Sequence, residues 1–317
     1  MTARVRVPAS SSNLGSGFDC VGIAVDRWLT ASVTLERPGE GRGSGWTIRR
    51  RGMLSEVRVR PDQDLFTRGF RAACAAGGIA APTKVTIDAA SDIPVGRGLG
   101  SSAAAIVAGA LLADSALDLA LSRAQILEIG TTVEGHSDNV APAIYGGAVL
   151  SAHTSAGLVA SPLRVAPEIE LLIAVPPFSN DTKAARAALP RTVPHADATT
   201  AASRAAALVQ GLATGDGGLL SAALDDVLHV PYRRAHVYGF DAVVSAAKDA
   251  GAYGATLSGA GSAILAIAPR ERAADVGSAL LCAWRSQGVH AELIRCTQAV
   301  PGATVTRVSQ SVVTETS

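Results

Sequence analysis

Apolar and polar residues alternate at the start of the chain, where RVRVP (4–8) predicts a strand, and the same period recurs in ASVTLE (31–36) and WTIRR (46–50). The glycine-rich PGEGRGSG (38–45) between the last two predicts a turn. DLFTRGFRAACAA (64–76) has helical spacing, KVTIDAA (84–90) predicts a strand, and the alanine-rich stretch 103–113 predicts a helix. A further helix, SRAQILEIGTTVE (122–134), runs into GHSDN (135–139), and GGAVLSAH (146–153) predicts a returning strand.

The second half opens on IELLIAVPP (169–177), an apolar run of strand length. Helical patterns follow in DTKAARAAL (181–189), DATTAASRAAALVQGL (197–212), GGLLSAALDDVL (217–228) and FDAVVSAAKDAG (240–251). GATLSGAGSAILAIAP (254–269) then predicts strand–turn–strand, 271–288 a helix and HAELIRC (290–296) a strand, while 309–317 predicts a loose end. Helices interleaved with strands predict an α+β protein of two units, residues 1–165 and 166–317.

Composition narrows the picture by exclusion. The 317 residues are 48% hydrophobic and 17% charged, ordinary for a globular core, and the net charge of +1 gives no footing for broad attraction to nucleic acid or membrane. No stretch reaches about 18 uninterrupted apolar residues, and the start lacks the apolar region of a secretion signal, so a cytoplasmic protein is expected. Cys20, Cys74, Cys282 and Cys296 are far apart, which predicts free thiols rather than disulfides or a metal cluster.

The chemistry concentrates in DIPVGRGLGSSAAAIVAGALL (91–111). One reading is a loop followed by a helix capped by Ser101 or Ser102. A cap alone does not require glycine at 96, 98 and 100. Glycines so placed bring backbone N–H groups close to an anion ahead of a helix N-terminus, which is how phosphates are held. This is not the common lysine-bearing phosphate loop, because Lys84, Lys183 and Lys248 are the only lysines and none follows a glycine. Charge neutralisation then falls to amides, a metal ion or Arg97.

Three other segments are small, glycine-bearing and punctuated by polar residues. PASSSNLGSGFDCVG (8–22) brings Asn13 and Asp19 near two glycines, although both are ordinary turn formers. VEGHSDNVAPAIYGG (133–147) crowds Glu134, His136, Asp138 and Asn139. A carboxylate near a phosphate site implies an intervening cation, for which Mg²⁺ held by few protein oxygens is the natural choice. Against that, Asp138 has a plain reading as a cap and His136 as a hydrogen-bonding strut. TLSGAGSAILAI (256–267) reads equally as a simple hairpin.

The order of the four segments resembles the GHMP kinases, which group galactokinase, homoserine kinase, mevalonate kinase and phosphomevalonate kinase. Their motif P-x-x-x-G-L-G-S-S-A-A is matched by Pro94, Gly98, Leu99, Gly100, Ser101, Ser102, Ala103 and Ala104. The homoserine branch is the best match, through PASSSNLGSGFD, GHSDNVAPAIYGG, LSGAGSA, TKAARAALP (182–190) and VPYRRAH (230–236). The resemblance implies a ribosomal protein S5 domain 2-like first unit and a ferredoxin-like second one, with ATP between them. It also implies Mg²⁺ as cofactor, a homodimer, and phosphorylation of L-homoserine on the way to threonine.

Residue by residue, the resemblance implies that the nucleotide is met by Pro94, Gly96, Arg97, Gly98, Leu99, Gly100, Ser101, Ser102, Ala103, Ala104 and Asp64. The metal falls to Ser102 and Glu134, with Glu128 a competing carboxylate. Asn13, Asp19, His136, Asn139, Thr182, Arg186, Arg233 and Gly259 match the amino-acid site, and Asn139, Asp138 and Arg186 are the catalytic candidates. Asp138 stays open between base and brace. The chain departs from the family's pattern at Ser16, Ser137, Asp64, Ser262 and Ala263, which leaves open another small hydroxylated substrate. A silent nucleotide-binding protein on the same scaffold is the third reading.

Overall fold

A computed structural model describes residues 2–35, 45–296 and 299–308. The turn expected over 38–45, all but its last residue, and the loose end expected over 309–317 lie outside the described residues. The first strand, β1 (Thr2–Asn13), alternates buried and exposed residues as far as Val7 and is then buried without a break through Asn13. It pairs antiparallel with β2 (Gly17–Leu35), a strand far longer than the ASVTLE segment that alternation marks. A register shift between Pro8 and Ala9 bends the pair.

That bend lets one strand serve two neighbours. Residues 29–35 of β2 pair with β4 (Lys84–Ser91), which runs parallel to β3 (Gly45–Gly52), while residues 21–23 pair with β5 (Ala148–Thr154). β5 in turn carries β6 (Gly157–Leu163), and β11 (Thr304–Val308) closes the other edge against β1. Neither β6 nor β11 shows in the hydrophobic pattern. Assigning everything after residue 165 to the second unit therefore misplaces the last strand, which returns to the first sheet.

Helix α1 (Leu65–Ala76), α2 (Ser101–Leu117), α3 (Arg123–Glu134) and the short α4 (Val140–Tyr145) pack with this sheet. α2 is buried around nearly its whole girth, which explains its uniform alanine and aliphatic content and the absence of an amphipathic stripe. Its N-cap is Gly100 rather than a serine, and no side chain caps it.

The second sheet has the order β10-β7-β9-β8, built from β7 (Ile169–Val175), β8 (Gly254–Leu257), β9 (Ile264–Pro269) and β10 (Glu292–Cys296). Between β7 and β8 run α5 (Thr182–Ala187), α6 (His195–Thr214), α7 (Gly217–Leu224), α8 (Val230–Arg233) and α9 (Phe240–Asp249); α10 (Ala273–Ser286) joins β9 to β10. Read as β-α-β-β-α-β, this is the ferredoxin-like arrangement. Every residue of β7 is buried because both faces are covered: Ile169, Leu171 and Ile173 join the core shared with the first sheet, while Leu172 and Ala174 join one with α9 and α10. Among the described residues no helix is long and apolar enough to cross a membrane, and the cysteines are free.

Candidate active site

The loop from Pro94 to Gly100 lies where the two units meet, and its main chain is fixed from both sides. Ser10 N–H donates to the Leu99 carbonyl at 3.2 Å and Ser258 Oγ to the Gly98 carbonyl at 2.6 Å. Asn180 N–H donates to the Gly96 carbonyl at 2.7 Å, and Ala263 N–H to that of Arg97 at 3.2 Å. Ser11 and Ser258 share a hydroxyl–hydroxyl bond of 2.8 Å. The buried serine run of β1 is thus a seam: each hydroxyl or amide it brings inward meets a partner, as burial demands.

Gly98 and Gly100 are required by this closeness. Both have left-handed φ (+76° and +64°), and a Cβ on Gly98 would stand 2.0 Å from the Ser258 carbonyl oxygen. At Gly100 it would stand 2.1 Å from Ser10 Oγ. With carbonyls held behind and α2 uncapped, the first amides of a 17-residue helix remain for a ligand.

Facing the helix start, Ser102 Oγ donates to Glu134 Oε1. Glu134 closes α3, where a negative charge opposes the helix dipole. Burial holds its carboxyl above the usual range, although the Ser102 hydrogen bond and the His136 charge pull it down. A buried acid, set against a dipole and beside a hydroxyl, fits a hard cation with few protein ligands. Glu128 does not share the place: it is exposed, with Oε1 close to Gly157 on β6.

The charged end of the site comes from three segments. Asp19 accepts a fork of bonds from Arg186, at 2.7 and 3.0 Å, and Arg186 and Arg233 lie 5.8 and 5.2 Å from the Phe18 ring. Asp19, His136 and Asp138 each bring one potential ligand atom within 4.8 Å of the others. His136 Nδ1 sits 2.6 Å from Asp138 Oδ1; burial alone would lower this histidine's pKa, but that bond and the charges of Asp138 and Glu134 raise it. The Asp19 hydrogen bond raises Arg186, whereas burial and the neighbouring Arg186 lower Arg233.

Asn13 and Asn139 act as fasteners. Asn13 donates to the Gly259 carbonyl at 3.1 Å and accepts from Asp19 N–H at 3.0 Å. Asn139 accepts from Ser10 Oγ and donates to Ser12 Oγ, both at 2.9 Å. Ser137 Oγ pairs with Ser151 Oγ at 2.7 Å, tying its loop to β5.

Several expectations change. Asp64, expected at the nucleotide, is buried, caps α1 through Phe66 N–H and pairs with Arg50. Arg97, expected at the phosphates, is bound to the carbonyls of Val95, Pro176 and Pro177 and clamps the loop to the end of β7, while also lining the cavity beside the loop. The side chains of Leu99, Ala103 and Ala104 are buried in the core, so any ligand contact they make runs through the main chain. Thr182 stands exposed at the start of α5, one turn before Arg186 and on the same face. Sequence reasoning also missed the cavity of about 660 Å³ beside the loop, lined by Met53, Val57, Val95, Gly96 and Asn180 among others. No sequence signal points to it; in the structure Met53, a large apolar residue, is left half exposed at its edge.

A glycine loop ahead of an uncapped helix, an opposed acid and a charged pocket at the junction of two α+β units fit a small-molecule kinase. The model for the GHMP kinases N terminal domain matches residues 64–147 and that for GHMP kinases C terminal matches residues 208–286; the chain belongs to the GHMP kinase family. It is 40% identical to a homoserine kinase of Synechococcus sp., over 93% of this chain and 95% of that one. Against a homoserine kinase of Nostoc punctiforme it is 39% identical, over 91% and 93%. A solved homoserine kinase from Cytophaga hutchinsonii superposes with a TM-score of 0.84 at 28% identity, covering 96% of this chain and 97% of that one.

Proposed function

We propose that the chain transfers the terminal phosphoryl group of ATP to the side-chain hydroxyl of L-homoserine, giving O-phospho-L-homoserine. The observation that carries this reading is the Asp19–Arg186 fork beside buried Arg233: one anion held by one arginine, with a second arginine close by that has no carboxylate of its own among the described residues, next to the glycine loop. A zwitterionic amino acid substitutes for that internal pairing, its ammonium on Asp19 and its carboxylate on the arginines.

The amides of the loop and of the first turn of α2 hold the phosphates, and the cavity lined by Met53, Val57 and Val95 takes the base and ribose. Ser102 and Glu134 would hold Mg²⁺, which supplies charge neutralisation at the phosphoryl oxygens. Phosphoryl transfer of this kind has a loose transition state, so positioning and electrostatics suffice. Asp138 is accordingly a brace: it is buried against His136 and fixes the loop that carries Asn139. An Asp138→Asn enzyme keeps turnover within about tenfold, where loss of a general base would reduce it about 10²–10⁴-fold. A homodimer in the cytoplasm is the matching physical state, supported by the family resemblance and checked by sedimentation.

The test is an ADP-release assay across small hydroxylated amino acids and alcohols with Mg²⁺ and ATP. A kcat/KM for L-homoserine well above those for serine and threonine is expected. Equal turnover of all three supports the broader substrate reading, and ATP binding without ADP release from any alcohol overturns both.

A further inference from the structure

His229 belongs to none of the motifs, yet it is fully buried between the two halves of the charged pocket. Asp226 puts it there. One carboxylate oxygen accepts the N–H groups of Leu228, His229 and Val230 at 3.1, 2.7 and 2.8 Å, which starts α8. His229 and Arg233, four residues apart, then share one face of that turn. The imidazole stacks on Phe18 with centroids 4.9 Å apart and planes 17° from parallel.

Donor and acceptor accounting fixes its protonation. Nε2 lies 3.1 Å from the Gly15 carbonyl oxygen, which only accepts, so Nε2 carries the hydrogen. Nδ1 lies 3.4 Å from Arg233 Nη1, which only donates, so Nδ1 offers its lone pair. Only the neutral Nε2–H tautomer satisfies both contacts; an imidazolium would set an N–H against the guanidinium. The surroundings agree. Burial pushes the pKa of His229 down and the Arg233 charge pushes it further, which together outweigh the upward pull of Asp226, of the Gly15 hydrogen bond and of Asp138.

The two contacts reach opposite ends of the pocket. Gly15 belongs to the turn that presents Phe18 and Asp19, while Arg233, also donating from Nε to the Ala185 carbonyl at 3.2 Å, is the buried cation. We infer that His229 is a positioning residue that fixes the Arg233 guanidinium relative to the Asp19 turn, and so sets affinity for the amino-acid substrate rather than the rate of transfer. This rests on the proposed function, in which those two groups hold the carboxylate and the ammonium.

Two substitutions divide the roles. In His229→Gln the side-chain amide reaches the Nε2 position and can keep the bond to Gly15, but the acceptor for Arg233 is gone. In His229→Asn the side-chain oxygen takes the Nδ1 position and keeps that acceptor. With folding checked by thermal melting, His229→Gln is expected to raise KM for L-homoserine about tenfold, while kcat and KM for ATP move less than about threefold. His229→Asn recovers most of the loss, and His229→Gln added to Arg233→Ala costs little more than Arg233→Ala alone. An unchanged KM in His229→Gln, or a fall in kcat with KM untouched, overturns the inference. Long-range ¹⁵N spectra of the wild-type protein read the tautomer independently of any substrate. A neutral Nε2–H ring at pH 7 is expected, and an Nδ1–H ring or an imidazolium contradicts the inference. If wild type fails to turn over L-homoserine, the functional reading falls while the spectra still judge the tautomer.

Discussion

The two ends of the cleft are made of different materials. At the end proposed for the phosphates the groups on offer are main-chain amides, held by carbonyls bonded to Ser10, Ser258, Asn180 and Ala263, with glycines where no Cβ fits. At the end proposed for the amino acid they are charged side chains: Asp19 and Arg186 remain partly exposed and answer one another directly. A rigid backbone cradle suits a ligand group that never varies, the polyphosphate. Exchangeable ion pairs suit a substrate that must be chosen among similar small molecules, because the protein trades one set of charge partners for another on binding.

This contrast can be broken at four points. Glu134→Gln tests the carboxylate proposed, with Ser102, to hold the metal, and kcat is expected to fall about 10²–10³-fold in steady-state assays, with melting temperature unchanged or raised because a largely buried charge is gone. Gly98→Ala should act on the cradle itself: left-handed φ and the 2.0 Å approach to Ser258 predict about 2–3 kcal/mol lost in urea unfolding, with KM for ATP raised. Asp19→Asn should leave ATP alone and raise KM for the amino acid about 10–100-fold, the range for a charged hydrogen bond.

The smallest effect is a pH dependence of stability. His229 is held below its ordinary pKa of about 6.5, so the unfolded chain binds its proton more readily than the native one. Its share of stability is therefore intact above that pH and is lost as pH falls below it, at no more than about 1.4 kcal/mol per pH unit. Urea midpoints of wild type and His229→Gln, compared between pH 7.5 and 5, should converge on acidification; a constant gap would contradict this.

How much was legible follows the same division. The glycine loop could be read because Gly96, Gly98 and Gly100 each take a left-handed φ that other residues rarely adopt. The α+β alternation was visible in Val5 and Val7, in IELLIAV and in the alanine-rich α2. Alternation disappears from Ser10 to Asn13, where burial is complete on both faces and hydroxyls replace methyl groups, so the extension of β1 and the length of β2 were hidden. β6 and β11 are edge strands with little pattern to detect: β6 has a single buried residue, Leu158, and residues 304–307 of β11 are exposed. The protein partners of Asp64 and Arg97, namely Arg50 and the Pro176 and Pro177 carbonyls, are fixed only by folding and leave no trace in one dimension. His229 had no sequence signal beyond its place four residues before Arg233.

The most direct measurement is ³¹P NMR of the wild-type protein with ATP, Mg²⁺ and L-homoserine. A phosphomonoester resonance split by the γ-methylene protons of homoserine, growing in step with ADP, is the predicted result. ATP that persists beside unmodified homoserine, with the protein folded and the nucleotide bound, would contradict the account.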